Sequence, residues 1–180
     1  MDHSDHPIFE PCGGLAILKQ MNKQKMSIHG PKKIKLTIAY GSETGNCEEI
    51  AKNIHAEAVM RGFESRLSSL DHAVIEPSSY LIIVTSSTGD GDPPSNATNF
   101  WKRIRGWKEK ELHDLHFTIL GLGDSNYTKY QNVSRTIQKR FIDAGAQLFY
   151  DSAEADEVNG IEDILDTWID GLWCEMKIVK

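Results

Sequence analysis

From position 34 onward, short apolar runs alternate with stretches whose apolar residues recur every three or four positions. That alternation restricts the folds open to the chain. Residues 34–40, 63–70, 80–85, 116–122 and 147–150 read as strands. After the first, Cys47, Ile50, Ala51, Ile54 and Ala58 share one helical face, and Gly62 ends the helix. Residues 96–104 predict a second helix. Val133, Ile137, Phe141 and Ala144, closed by Gly145, predict a third, and residues 161–177 a fourth. Leu81-Ile82-Ile83-Val84 is apolar without alternation, as a strand covered on both faces requires. Strands separated by helices around such a centre predict an α/β fold: a doubly wound, five-stranded parallel sheet with right-handed crossovers.

Three strands run directly into segments of glycines and hydroxylated residues. Gly41-Ser42-Glu43-Thr44-Gly45-Asn46 follows the first. Ser86-Ser87-Thr88-Gly89-Asp90-Gly91-Asp92-Pro93-Pro94 follows the third, and Gly121-Leu122-Gly123-Asp124-Ser125-Asn126-Tyr127 the fourth. In an open parallel sheet, loops leaving the carboxyl ends of the strands meet at one edge, where such folds bind ligands. Their composition suits a flat, phosphorylated cofactor. The first loop opens a helix, whose unpaired amides and positive dipole end attract an anion. Ser42, Thr44 and Asn46 add side-chain donors, and Gly45 permits a tight turn. The loop holds no Lys or Arg, so neutral donors would carry the phosphate. Its spacing matches neither the dinucleotide nor the nucleotide triphosphatase pattern. Asn46 and Glu49 also have the spacing of a capping box, which an ordinary helix start would use. In the second loop, Gly89 and Gly91 let the main chain approach a ring edge. In the third, Gly121 and Gly123 let the backbone lie against a ring, and Tyr127 or Tyr130 can stack on one.

The net charge of −6 hides an asymmetry: residues 1–35 sum to +3 and residues 36–180 to −9. So acidic a domain is a poor nucleic-acid binder and a plausible docking face for a basic partner. No apolar run approaches the roughly 20 residues of a membrane span. Cys12, Cys47 and Cys174 are odd in number and widely spaced. They form neither a disulfide framework nor a metal set and fit a reducing, cytoplasmic setting. Residues 1–33 lack periodicity, apart from a short helical pattern at 15–21, and read as a flexible N-terminal extension to a domain spanning 34–180. His113 and His116, beside the fourth strand, lack the company a metal site needs. Cys47 falls on the apolar face of the first helix and reads as a buried thiol, while Trp168 and Trp173 read as core residues of the last helix.

Taken together, the three loops resemble those of the flavodoxin-like FMN domain of diflavin reductases, over residues 34–173. Ser42-Glu43-Thr44-Gly45-Asn46, with Cys47 behind it, resembles the phosphate loop of that family. Ser86-Ser87-Thr88-Gly89-Asp90-Gly91 resembles the loop facing the inner side of the isoalloxazine. Leu122-Gly123-Asp124-Ser125-Asn126-Tyr127, with Tyr130, resembles the loop whose tyrosine covers the outer side. Within the family, Ser87–Pro94, Leu120–Ser125, Phe149-Tyr150-Asp151, Ala155-Asp156 and Trp168–Trp173 are most similar to the methionine synthase reductase branch. The cytochrome P450 reductase branch has an aromatic residue where this chain has Thr88, so the inner ring face is expected to be more open here.

The resemblance implies the sheet order 2-1-3-4-5, FMN as cofactor and single-electron transfer without an acid–base side chain. It also implies an FAD/NADPH module outside these residues and an acceptor protein, methionine synthase with its cobalamin. A stand-alone shuttle, or service to cytochrome P450 or an iron–sulfur protein, is the alternative. Asp90, Asp92, Asp124, Asp156 and Glu157 are expected to set a negative field around the ring. A turning Gly89 peptide is expected to offer its carbonyl to the ring N5. A receiver domain of the same sheet order would want an acidic residue where the third strand ends in Thr85-Ser86-Ser87. A flavodoxin-like scaffold without cofactor would not need the three loops intact.

Overall fold

The computed structural model describes residues 33–178. The extension expected at 1–33 and the helical pattern at 15–21 therefore fall, Lys33 aside, outside the described residues. The strands are β1 (Lys35–Gly41), β2 (Glu64–Ser69), β3 (Tyr80–Ser86), β4 (His116–Gly123), β5 (Gln147–Leu148) and β6 (Ala153–Asp156). The helices are α1 (Asn46–Met60), α2 (Thr98–Ile104), α3 (Asn132–Asp143) and α4 (Glu162–Ile178). Every strand pair is parallel, in the order β2-β1-β3-β4-β5, with β6 also paired to β4. The doubly wound parallel sheet is as the strand–helix pattern predicts, and its order is the one the family resemblance implies.

Why the chain folds this way is visible in the central strands. Ile82 and Val84 of β3, with Leu120 and Leu122 of β4, face a core built with Ala51 and Ile54 of α1 and Trp168, Leu172 and Trp173 of α4. Their neighbours Leu81, Ile83, Phe117 and Ile119 face the opposite core, with Phe100 and Ile104 of α2 and Val133, Ile137 and Phe141 of α3. Two-residue periodicity thus sends alternate side chains to opposite helical layers. Each large apolar side chain so buried contributes about 1.5–3 kcal/mol. This double packing, rather than any loop, fixes the sheet. Trp168 and Trp173 are 5% and 2% exposed, as core residues should be. His113 lies beside Asp114 at 3.0 Å, and His116 stacks on Tyr80 with ring centroids 5.1 Å apart.

The fifth strand departs from expectation. Residues 147–150 do not form one strand; the fifth position holds two short ladders, with residues 149–152 bulging between them. Aromatic packing drives the bulge. Phe149 sets its edge against Tyr80 at 5.1 Å, Tyr150 packs on Trp168 at 5.7 Å, and Trp168 Nε1 donates to Asp151 O at 2.8 Å. Phe149 N–H still donates to Phe117 O at 3.2 Å, and beyond it the backbone leaves the β4 ladder. It returns at Ala153 opposite Leu120 and carries Asp156 up to the site.

Candidate functional site

The first, second and third loops converge beyond the carboxyl ends of β1, β3 and β4 on one cleft of about 370 Å³. Its walls come from all three. Glu43, Thr44, Asn46 and Cys47 line it from the first loop and the start of α1; Ser86, Ser87, Thr88 and Gly89 line it from the second. Leu122, Gly123, Asp124, Tyr127 and Tyr130 line it from the third, with Glu157 from the turn after β6. Other predicted residues support this wall without forming it: Ser42, Gly45, Asp90, Gly91, Ser125, Asn126 and Asp156 are not among the lining residues. Lys129 and Gln131 line the cleft and were not foreseen.

The first loop turns through Gly45, whose φ of 102° lies in the left-handed region, and α1 starts at the next residue. No side chain caps that helix, so the capping box of Asn46 and Glu49 does not form. No side chain takes the leading amides of α1, and Asn46 and Cys47 at its start line the cleft. Ser42 Oγ accepts the Gly45 N–H at 3.0 Å. Ser42 N–H donates to Asn96 Oδ1 at 2.9 Å, and Glu43 Oε2 accepts the Ser95 N–H at 2.7 Å. The Ser95 amide holds the Glu43 carboxyl below the usual carboxylate range. Cys47, 1% exposed, forms the floor, and burial pushes its thiol up to about 12.

The second loop closes on itself. Thr88 N–H donates to Asp92 O at 2.8 Å, and the Gly91 and Asp92 amides donate back to Thr88 O at 3.0 and 2.9 Å. Gly89 and Asp90 form the exposed tip, with Gly89 at φ 47°. Asn132 Nδ2 donates to Gly91 O at 2.7 Å, and Ser87 Oγ accepts the Val133 N–H at 3.2 Å, so the loop is pinned to the start of α3.

In the third loop the glycines also serve a purpose that was not foreseen. A Cβ on Gly121 would collide with Gln131 Oε1 and lie 2.6 Å from Ser134 Oγ; one on Gly123 would meet Gln131 Nε2 and the Tyr130 ring at 3.1 Å. The missing side chains make room for protein groups beneath the loop. Gln131 is 1% exposed with φ 56°, a strained conformation for a residue with a Cβ. Its Nε2 donates to Gly121 O at 3.0 Å and Ala155 O at 3.2 Å, and its Oε1 accepts from Ser134 Oγ at 2.8 Å. One buried amide thereby joins β4, β6 and α3. Only the paired glycines hinted at it in the sequence; a glutamine at a helix start otherwise reads as a surface residue.

Asp156, expected to place negative charge around the loops, is 8% exposed and is also committed to hydrogen bonds. Its Oδ1 accepts the Ser125 N–H at 3.0 Å and the Val158 N–H at 3.2 Å, while Asn159 Nδ2 donates to its Oδ2 at 2.8 Å. Ser125, above all, holds its carboxyl below the ordinary range. Glu157 N–H donates to Gly123 O at 2.8 Å, a further tie between this turn and the loop. Tyr127 is 60% exposed at the cleft mouth. Tyr130 packs inward, with the Arg135 guanidinium 5.6 Å from its ring centroid.

Chemically, the cleft offers amides and hydroxyls at one end and an exposed tyrosine ring at the other, with carboxylates on its rim and no metal cluster among the described residues. No helix of the described residues is long and apolar enough to cross a membrane. The chain is 42% identical to methionine synthase reductase of Caenorhabditis elegans over 139 residues, covering 74% of this chain and 20% of that protein. It is 36% identical to methionine synthase reductase of Homo sapiens, covering 78% of this chain and 21% of that protein. It is also 34% identical to NADPH-dependent diflavin oxidoreductase 1 of Xenopus laevis, covering 78% of this chain and 25% of that protein. The chain thus spans about a fifth to a quarter of the length of these relatives. Among solved structures, a cysteine-to-serine mutant of flavodoxin from Pseudomonas aeruginosa superposes with a TM-score of 0.65 at 22% identity, over 80% of this chain and 99% of that one. The flavodoxin family model matches residues 38–168, and with the fold and cleft in agreement, this chain belongs to the flavodoxin family.

Proposed function

We propose that the cleft holds FMN and that the domain relays single electrons from an FAD/NADPH reductase module to an acceptor protein. It would act as the oxidoreductase component of a diflavin reductase without oxidising NADPH itself. The observation that carries this reading is the convergence of the three loops on one cleft, with helix-start amides at one end and Tyr127 at the other. The donor set fits FMN. The first loop and the start of α1 supply neutral donors for a phosphate, the role a helix N-terminus performs well. Thr88, Gly89, Gly123 and Tyr127 frame a space in the size range of small-molecule sites.

Bound FMN would supply one-electron redox chemistry; the protein supplies binding, orientation and field. Thr44 and Asn46 would orient the phosphate end. Tyr127 would cover the outer ring face, and Thr88, smaller than an aromatic residue, would leave the inner face more open. Gly89 sits at the exposed tip, where a Cβ would meet no heavy atom within 4 Å, and has the freedom to present its carbonyl to a ring edge. Glu43, Asp124 and Glu157 on the wall, with Asp90 and Asp92 beyond it, set a negative rim that disfavours added electron density and attracts a basic partner. Methionine synthase is the acceptor we favour, on the similarity to two methionine synthase reductases.

The test is the absorbance spectrum of the purified protein, followed by release and identification of the flavin. Colourless protein that takes up no added FMN would sink the reading. Reduction of methionine synthase is then compared with that of cytochrome c and cytochrome P450 at low and high salt. Rates that do not fall with salt would remove the acidic rim from the docking step.

A further inference from the structure

The phosphate end of the cleft is shaped from a distance. The wall lined by Glu43, Thr44, Asn46 and Cys47 keeps its shape only while residues 42–46 hold a single conformation, and within those residues one bond helps enforce it, Gly45 N–H to Ser42 Oγ. A further restraint comes from the exit of the second loop. There, after Pro93 and Pro94, a short 3₁₀ turn at Ser95–Ala97 leads into α2. Within that turn the Ala97 N–H donates to Pro94 O at 2.9 Å. Asn96 accepts the Ser42 N–H on its Oδ1, and the Ser95 N–H reaches Glu43. The base of the loop has no slack either. A Cβ on Gly41 would lie 2.6 Å from Thr85 Oγ1 and 3.3 Å from Ala97 Cβ, so the loop's root and the brace are packed against each other.

We propose that Asn96 is a positioning residue that fixes the Ser42 peptide and thereby sets the cleft's preference for a phosphorylated flavin over the same ring system without phosphate. The proposal rests on the FMN reading above. Asn96 does not line the cleft and acts only through Ser42. The groups placed on the ring, by contrast, sit in the second and third loops and in bonds that do not pass through Asn96. Losing its acceptor should therefore weaken the phosphate's contribution and leave the ring's intact. A general loosening of the fold would weaken both.

The experiment titrates the flavin-free full chain with FMN and, separately, with riboflavin, following quenching of flavin fluorescence. Wild type, Asn96→Leu and Asn96→Asp are compared. Asn96→Leu should lose about tenfold in FMN affinity, the worth of one hydrogen bond in a polar site, with riboflavin affinity within about twofold of wild type. Asn96→Asp keeps an acceptor for the Ser42 N–H. At an ionic strength that screens its added charge, it should return to within about threefold of wild type for FMN. If Asn96→Leu does not fold, Asn96→Ser, which keeps polarity but not reach, supplies the same comparison. Equal losses for both flavins, unchanged FMN binding or tighter FMN binding would each overturn the proposal. Wild type that binds neither flavin overturns the FMN reading instead, so the two failures are distinguishable.

Discussion

The first and third loops leave β1 and β4, on either side of β3 at the same end of the sheet, yet they are held by opposite means. The first is braced at its rim by part-buried and exposed bonds, Ser42 to Asn96 and Ser95 to Glu43. Its one special glycine, Gly45, bends through a left-handed turn into open space. The third is anchored from below by Gln131, with glycines that leave space for the anchor. The first loop takes its support at its margin, through its own Ser42 amide. The third has the Gly121 carbonyl tied down from below by a buried side chain. The difference shows that glycines in loops of similar composition can answer to unrelated demands, one conformational and one steric.

The sharpest way to break this comparison is a pair of alanines. Gly121→Ala should cost about 4 kcal/mol, combining overpacking with displacement of a buried amide. Gly45→Ala should cost about 1 kcal/mol, the strain of a left-handed residue alone. Denaturant unfolding measures both; equal costs would mean that Gln131 is not the anchor described. Next in size, Gln131→Leu should cost about 2–3 kcal/mol, because Gly121 O and Ala155 O lose a buried donor. A neutral outcome would place the third loop's support elsewhere.

How much of this contrast the sequence disclosed depends on the range of the interaction. The strands and the three loops are legible because periodicity and glycine placement are local; the strand order came with the family resemblance. The bulge at 149–152 was not, because Phe149 and Tyr150 are also good strand residues, and only their partners Tyr80 and Trp168 pull them out of register. Asp156 and Glu157 look alike as adjacent acids; the fold commits the first to Ser125 and leaves the second on the cleft wall. Gln131 and Asn96 act on residues 10 and 54 positions away, beyond any local pattern.

A pH profile sharpens the contrast further. Asp156 has its carboxyl held below the ordinary value near 4. Its contribution is complete above that value and is lost as pH falls through the lowered one. Thermal melts from pH 7 to pH 3 should show wild type losing stability faster than Asp156→Asn in the acid range. Parallel curves would remove Asp156 from the third loop's anchorage. The smallest effect concerns the floor beneath the first loop. Buried Cys47, with its thiol pushed up to about 12, should resist alkylation at pH 8 while exposed Cys174 reacts, as read by site-resolved mass spectrometry. Modification of Cys47 in the folded protein would show that the first loop opens readily despite its brace.

The broken fifth position has a consequence for how the protein behaves in a crowd. A sheet edge is a template on which another chain can add a strand, and long flat edges invite aggregation. Here one margin is β2, with charged and hydroxylated residues through Glu64, Arg66, Ser68 and Ser69. The other is divided into ladders of two and four residues by the bulge. The aromatic contacts that pull Phe149 and Tyr150 inward therefore also deny a neighbouring molecule an uninterrupted edge to extend.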